Sequence, residues 1–219
     1  MCHAVLRDPA FFRFLTRIDE EFAAASRLEG CRACEGPLHV ANYPRKPRGC
    51  PAAVEDEYSR RLSFTCGRCD LRTTSPSVRF AGRRVYLAVV LMLVSPRESA
   101  SARVLRDRLR VAAVTLKRWR TWWREIFPST PFWRSACERF MPPVTTGELP
   151  QSLLERFETS AMTDRLTQAL RFIGKRHTEH RLAMARRRWH CARSRWFANV
   201  RRMTIDARVA GCYELSSAA

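Results

Sequence analysis

Two short cysteine pairs constrain this chain more than any other feature: Cys31-Arg-Ala-Cys34 and Cys66-Gly-Arg-Cys69. A Cys-x2-Cys pair bends a tight knuckle, so that two thiolates converge on one metal ion, and two knuckles complete a tetrahedral zinc shell. Cys31, Cys34, Cys66 and Cys69 are therefore the candidate ligands, with Zn2+ as the expected cofactor. The intervening segments PLHVANY and RRLSFT partly alternate apolar and polar residues, which suits the short strands of a zinc ribbon. A closed four-thiolate shell leaves no position for water, so the site is expected to be structural and not catalytic.

The 31 residues between the pairs exceed the usual spacing of about 15 to 20, so a loop over about 44–57 must bulge out of the ribbon. Cys50 lies in that gap and is an alternative ligand, though its Pro-Arg-Gly-Cys-Pro setting has no partner knuckle. His39 is a weaker candidate, since four cysteines already close the shell. Cys2, Cys137, Cys191 and Cys212 read as free structural thiols. The total of nine cysteines is odd, and the N-terminus shows no apolar stretch with a cleavage site, so a reducing cytoplasm is expected.

Charge narrows the partner. Forty Lys and Arg against 21 Asp and Glu give a formal net charge of +19, which repels itself in a compact state unless an anion relieves it. With 46% hydrophobic residues the chain has enough apolar surface to fold. The longest apolar run, Val85 to Val94, is ten residues, against about 20 for a spanning helix. It reads as a buried helix. Nucleic acid is the obvious polyanion, and an anionic membrane surface is the rival.

The expected fold is mainly α with a small β zinc ribbon, a helix-turn-helix in the middle and a basic helical C-terminus. An N-terminal helix occupies 1–30, its periodic core running over 9–28 behind an Asp8–Pro9 cap. The ribbon covers 31–82. A helical segment, 83–128, holds predicted helices at 83–93, 102–109 and 113–127. A Pro-rich linker with a short helix spans 129–150, and a basic helical region takes 151–219.

Residues 102–121, ARVLRDRLRVAAVTLKRWRT, match a 20-residue helix-turn-helix pattern. Leu105 and Leu109 face inward from the first helix, Val111 plugs the turn, and Leu116 and Trp119 face inward from the second. That leaves Lys117, Arg118, Thr121 and Arg124 outward, with Ala113 and Val114 near base edges at the helix start, as in major-groove reading. Residues 101–124 carry eight Lys or Arg against one acid, which suits phosphate contact. Arg110 stands where the turn commonly takes Gly, Arg106 where a small residue lets the helices approach, and Ala112 where a Ser or Thr cap is worth about 1 kcal/mol. Trp119, Trp122, Trp123 and Phe127, spaced three and four apart, read as core.

The order of these modules resembles the N-terminal part of zinc-ribbon insertion-sequence transposases: a double knuckle, TTSPSVRFAGRRVYLAVVLML, then a helix-turn-helix ending TLKRWRTWW. It is also similar to small bacterial proteins encoded beside mobile elements. The resemblance covers about residues 8–160. It implies that the four cysteines hold zinc and that the helix around Lys117 and Arg118 contacts double-stranded DNA, with a transposase or recombinase as a possible partner and a bacterial, nucleoid-associated location. The catalytic part is not implied. Only about 90 residues follow the helix-turn-helix, they read as helices, and Glu138, Glu148, Glu155, Glu158, Asp164, Glu179, Asp206 and Glu214 alternate with Arg, Pro and Ser instead of ending apolar strands. No catalytic grouping stands out, so the chain is expected not to be an enzyme. The reading is an accessory or transposase-derived DNA-binding factor of a mobile element. The alternative is a non-catalytic scaffold docking onto a partner enzyme.

Residues 174–205 add ten Lys or Arg against one acid. Arg186, Arg187, Arg188, Arg193 and Arg195, interleaved with Trp189, Trp196 and Phe197, are a possible secondary nucleic-acid contact. A membrane surface is the competing reading for a basic amphipathic helix. His177, His180, His190 and Cys191 show no convergent ligand spacing and read as surface residues.

Overall fold

The computed structural model describes residues 2–81, 86–96 and 100–174. All belong to one of the two compact units into which the chain divides, Met1–Thr178. The unit is mainly helical with a small antiparallel sheet.

Helix α1, Pro9–Leu28, starts where its cap chemistry requires: the Asp8 carboxylate accepts from the Ala10 N–H at 2.9 Å, and Pro9 occupies the first turn, where its missing N–H costs nothing. The helix buries Phe11, Phe12, Leu15 and Ile18 along one stripe. Gly30, at φ +71°, then turns the chain into the first cysteine pair.

Five short strands follow: β1 Leu38–Val40, β2 Tyr43–Pro44, β3 Arg60–Arg61, β4 Ser63–Cys66 and β5 Arg72–Thr74. β4 is central, antiparallel to β1 and β5, and β2 pairs with β3 in a separate ribbon. The register sets Leu38 opposite Cys66 and Phe64 between Val40 and Thr73. Ala23, Cys31, Leu38, Phe64 and Cys66 form a small core of their own.

Residues 45–59 leave this sheet and return to it, as the long gap requires, but they are not an idle bulge. A 3-10 turn, Ala52–Val54, and a helical turn, Glu55–Tyr58, carry Val54 and Tyr58 into the main core. Tyr58 packs on Phe12 with centroids 5.5 Å apart, and its hydroxyl donates to the Phe12 carbonyl at 2.9 Å. Burial raises the Tyr58 phenol well above its ordinary value, so it stays a donor.

Helix α2, Ala88–Val94, is buried at all seven positions, each large side chain contributing about 1.5 to 3 kcal/mol. Its described start is later than the expected residue 83, because Leu87 is extended and Tyr86 bridges to Arg48. Helices α3, Ala100–Arg108, and α4, Ala113–Thr121, follow. Beyond α4 the backbone widens into a π-turn, Trp122–Ile126, so the expected helix over 113–127 is not α-helical throughout. Trp123, Phe127 and Trp133 stack into an aromatic core with Phe140 and Phe172. The short helix of the linker is Pro131–Ala136, capped by Thr130 Oγ1 accepting from the Trp133 N–H. Among the described residues the final helix covers 162–174.

Candidate metal centre and nucleic-acid interface

The two cysteine pairs fold as matching knuckles. The Cys31 N–H donates to the Gly36 carbonyl at 2.9 Å, and the Cys66 N–H donates to the Leu71 carbonyl at 3.1 Å. In each knuckle the residue four places after the first cysteine donates back to it, Glu35 to Cys31 and Asp70 to Cys66. Glu35 and Asp70 accordingly adopt φ +56° and +54°. Two equivalent turns thus face each other, and the Gly67 N–H ties one to the other through the Pro37 carbonyl at 3.0 Å.

All four sulfurs converge. Their Sγ atoms lie within 4.8 Å of one another, with Cys34–Cys66 at 3.4 Å and Cys31–Cys69 at 3.6 Å. A tetrahedral ion with metal–sulfur bonds of about 2.3 Å needs edges of about 3.8 Å, so the donor set is compatible with a metal site. Gly36 shows how tight the arrangement is: a Cβ there would sit 3.0 Å from Cys66 Sγ and 3.3 Å from Cys34 Sγ.

The electrostatics favour one thiolate at the outset. Burial opposes ionisation of Cys66, but the backbone N–H groups of Arg68 and Cys69 together with the neighbouring thiols overcome it and lower the thiol to about 6; the Arg68 N–H reaches Sγ at 3.3 Å. At Cys69 the Leu71 N–H favours the thiolate, yet burial and the three other sulfurs prevail and push it up to about 12. Cys34 is raised too: the Gly36 N–H and Cys69 favour its thiolate, but burial, Cys66 and Cys31 prevail. Four crowded sulfurs cannot all ionise without a cation between them.

Cys50 is not part of this cluster. It packs against the main core, where burial and then Glu55 push its thiol up. His39 is exposed and lies against Gly67, where a Cβ would meet its Nε2 at 2.6 Å.

The pair α3–α4 is joined by a turn that satisfies the end of α3. The Val111 N–H donates to the Arg106 carbonyl and the Arg110 N–H to the Asp107 carbonyl, a Schellman arrangement that needs a left-handed residue. Arg110 fills that place at φ +50°. Leu105, Val111, Leu116 and Trp119 are buried, and Leu109 packs on the core. Ala113, Val114, Lys117 and Arg118 are exposed, as is Arg124, with Thr121 half-buried.

Three arginines depart from a simple basic face. Arg120 turns inward, its Nη2 donating to the Pro96 carbonyl at 3.2 Å. Arg124 falls in the π-turn and pairs with Glu125 at 2.6 Å, and Arg106 pairs with Asp107 at 2.8 Å. The outward face of α4 is therefore narrower than the charge count implies. Arg186, Arg187, Arg188, Arg193 and Arg195 lie outside the described residues.

Sequence reasoning misses the strongest polar element. Asp19 of α1 is fully buried. Its carboxylate accepts from Ser77 Oγ at 2.5 Å, from the Val78 N–H at 2.7 Å and from Arg79 Nε at 2.8 Å, with Arg61 Nη1 at 3.9 Å. Arg79 reaches on to the Glu57 carbonyl at 2.7 Å and lies over both the Tyr58 and the Phe80 rings. This network pins the segment after β5 to α1 and so fixes the cysteine module against the helical body. Its only trace in the sequence is a carboxylate on the Phe12–Leu15 face of an apolar stripe.

Comparison of the chain with protein families, with curated proteins and with solved structures finds no match in any of the three.

Proposed function

We propose that this chain is a zinc-stabilised, helix-turn-helix DNA-binding protein, a non-catalytic accessory or transposase-derived factor of a mobile element. The observation that carries the reading is the exposed face of α4. Lys117 and Arg118 project from it while Leu116 and Trp119 are buried on the opposite side. The buried side holds the helix and the exposed side is left for a partner, and a net charge of +19 selects a polyanion.

In this reading zinc closes the four-cysteine cluster of a small ribbon and supplies part of its folding energy. Ala113 and Val114 approach base edges at the start of the helix, Lys117 and Arg118 follow one turn on, and Thr121 and Arg124 lie toward the backbone. The link to a mobile element rests on the order of the modules alone. A docking scaffold draws support from the exposed apolar side chains among the described residues, Phe14, Leu28, Val40, Val104, Val114, Ile126 and Met141, which are spread over several elements.

The test is Arg118→Ala on a duplex selected from a random pool. A bidentate base contact predicts a loss of about 1 to 3 kcal/mol together with relaxed preference at one position. Unchanged affinity and unchanged preference would remove α4 as the reading helix.

A further inference from the structure

Between β2 and the turn at Ala52 the chain runs Pro44-Arg45-Lys46-Pro47-Arg48-Gly49, three cations and two prolines with no acid. Proline fixes φ and limits the freedom of its neighbours, so such a segment presents its charges at low entropic cost.

The loop is anchored at both ends. The Arg45 N–H donates to the Ser59 carbonyl at 2.6 Å, and the Arg45 guanidinium lies 4.8 Å from the Tyr43 ring centroid. At the far end Gly49 adopts φ +96°, and a Cβ there would stand 2.6 Å from Val90 Cγ2 and 3.7 Å from Leu109 Cδ2. The loop end is thus pressed onto α2 and onto the residue that precedes the α3–α4 turn. Arg48 lies over the Tyr86 ring at 5.8 Å, with Nη1 donating to the Tyr86 hydroxyl at 3.5 Å. Tyr86 in turn packs edge-on against Trp119 of α4 at 5.2 Å. Lys46 and Arg48 are exposed.

We propose that residues 44–49 form a second DNA contact, a phosphate clamp that grips the backbone beside the groove entered by α4. The inference rests on the reading of α4 as a DNA-contacting helix. The chain of contacts Arg48–Tyr86–Trp119 packs the loop end against the buried side of that helix, which holds the loop in a fixed position relative to it. Its heads are Lys and Arg held on a loop that grips phosphates, so the contact adds affinity without sequence preference.

The test is fluorescence anisotropy of the full chain on a labelled duplex over a salt series. The variants are Lys46→Ala, Lys46→Ala with Arg48→Ala, and Arg139→Ala, an equal charge loss at an exposed site on the 3-10 turn Cys137–Arg139. The slope of log affinity against log salt should fall by about 1 for Lys46→Ala and by about 2 for the double variant. The preference between duplexes and the melting temperature of Lys46→Ala should not change. An unchanged slope in Lys46→Ala, or the same loss in Arg139→Ala, overturns the clamp, and α4 stands as long as Arg118→Ala still weakens binding. A wild-type chain that binds no duplex removes both readings.

Discussion

Replacing Asp19 with alanine should be among the most damaging single changes to this protein. The side chain is 0% exposed and its two cationic neighbours, Arg79 and Arg61, are 2% and 7% exposed. Asp19→Ala deletes three close hydrogen bonds and leaves two guanidinium groups in the interior without a counter-charge. Breaking a buried ion pair by removing one partner costs about 3 to 5 kcal/mol, a large share of a total stability of about 5 to 15 kcal/mol. Burial already pushes the Arg61 guanidinium below its ordinary value, with Asp19 opposing the shift, so loss of the carboxylate removes what keeps that charge tolerable. Urea unfolding followed by tryptophan fluorescence reads the change as a lower midpoint at constant m. Arg79→Met in the Asp19→Ala background should recover about 1 to 3 kcal/mol relative to the sum of the single losses, because it removes one of the stranded charges. A loss below about 1 kcal/mol for Asp19→Ala, or strict additivity in the double variant, would refute the claim that this network holds the cysteine module to α1.

Four further outcomes follow from the geometry. Metal analysis should find about one zinc per chain, and Cys66→Ser should abolish it and lower the stability of the module; metal-free protein with an unchanged melting profile contradicts this. Because the folded protein lowers Cys66 to about 6, its thiolate contribution to the metal-free fold is present in full above the ordinary thiol value and is lost as pH falls toward about 6. Zinc should be released on acidification, because protons compete with the ion for the four thiolates, and zinc retention that does not depend on pH would contradict thiolate ligation. Arg110→Gly should stabilise the protein by about 0.5 kcal/mol, since relief of a left-handed L-residue is partly offset by the greater freedom of glycine in the unfolded chain. Trp119→Ala should cost about 3 to 5 kcal/mol through the cavity it leaves beside Tyr86, a loss measured in unfolding and distinct from the folded but weakly binding Arg118→Ala.

Local chemistry makes much of this structure legible from the residues. The start of α1 is readable because Asp8 and Pro9 are a cap and a first turn whatever surrounds them. The inward set Leu105, Val111, Leu116 and Trp119 is readable because a helix has one period. The cysteine cluster is readable because a Cys-x2-Cys pair has few other uses in such a spacing. Long-range partners are not readable. Asp19 meets residues 58 to 60 places away, and no local pattern says which arginines of a chain with 40 Lys and Arg turn inward. The same blindness applies to Arg120, which turns inward to the Pro96 carbonyl, whereas Arg124 is outward as read but is engaged with Glu125. The segment between the cysteine pairs reads as a bulge because its value lies in Val54 and Tyr58, whose partners sit on α1 and in the main core.

The most direct test of the central claim is a salt titration of the zinc-loaded wild-type chain on a duplex, followed by anisotropy. Saturable binding whose logarithm falls linearly with log salt, at a slope of about −0.9 for each phosphate neutralised, is the result expected of a DNA-binding protein with an exposed basic helix. No saturable binding at low salt, to any duplex from a random pool, would contradict it.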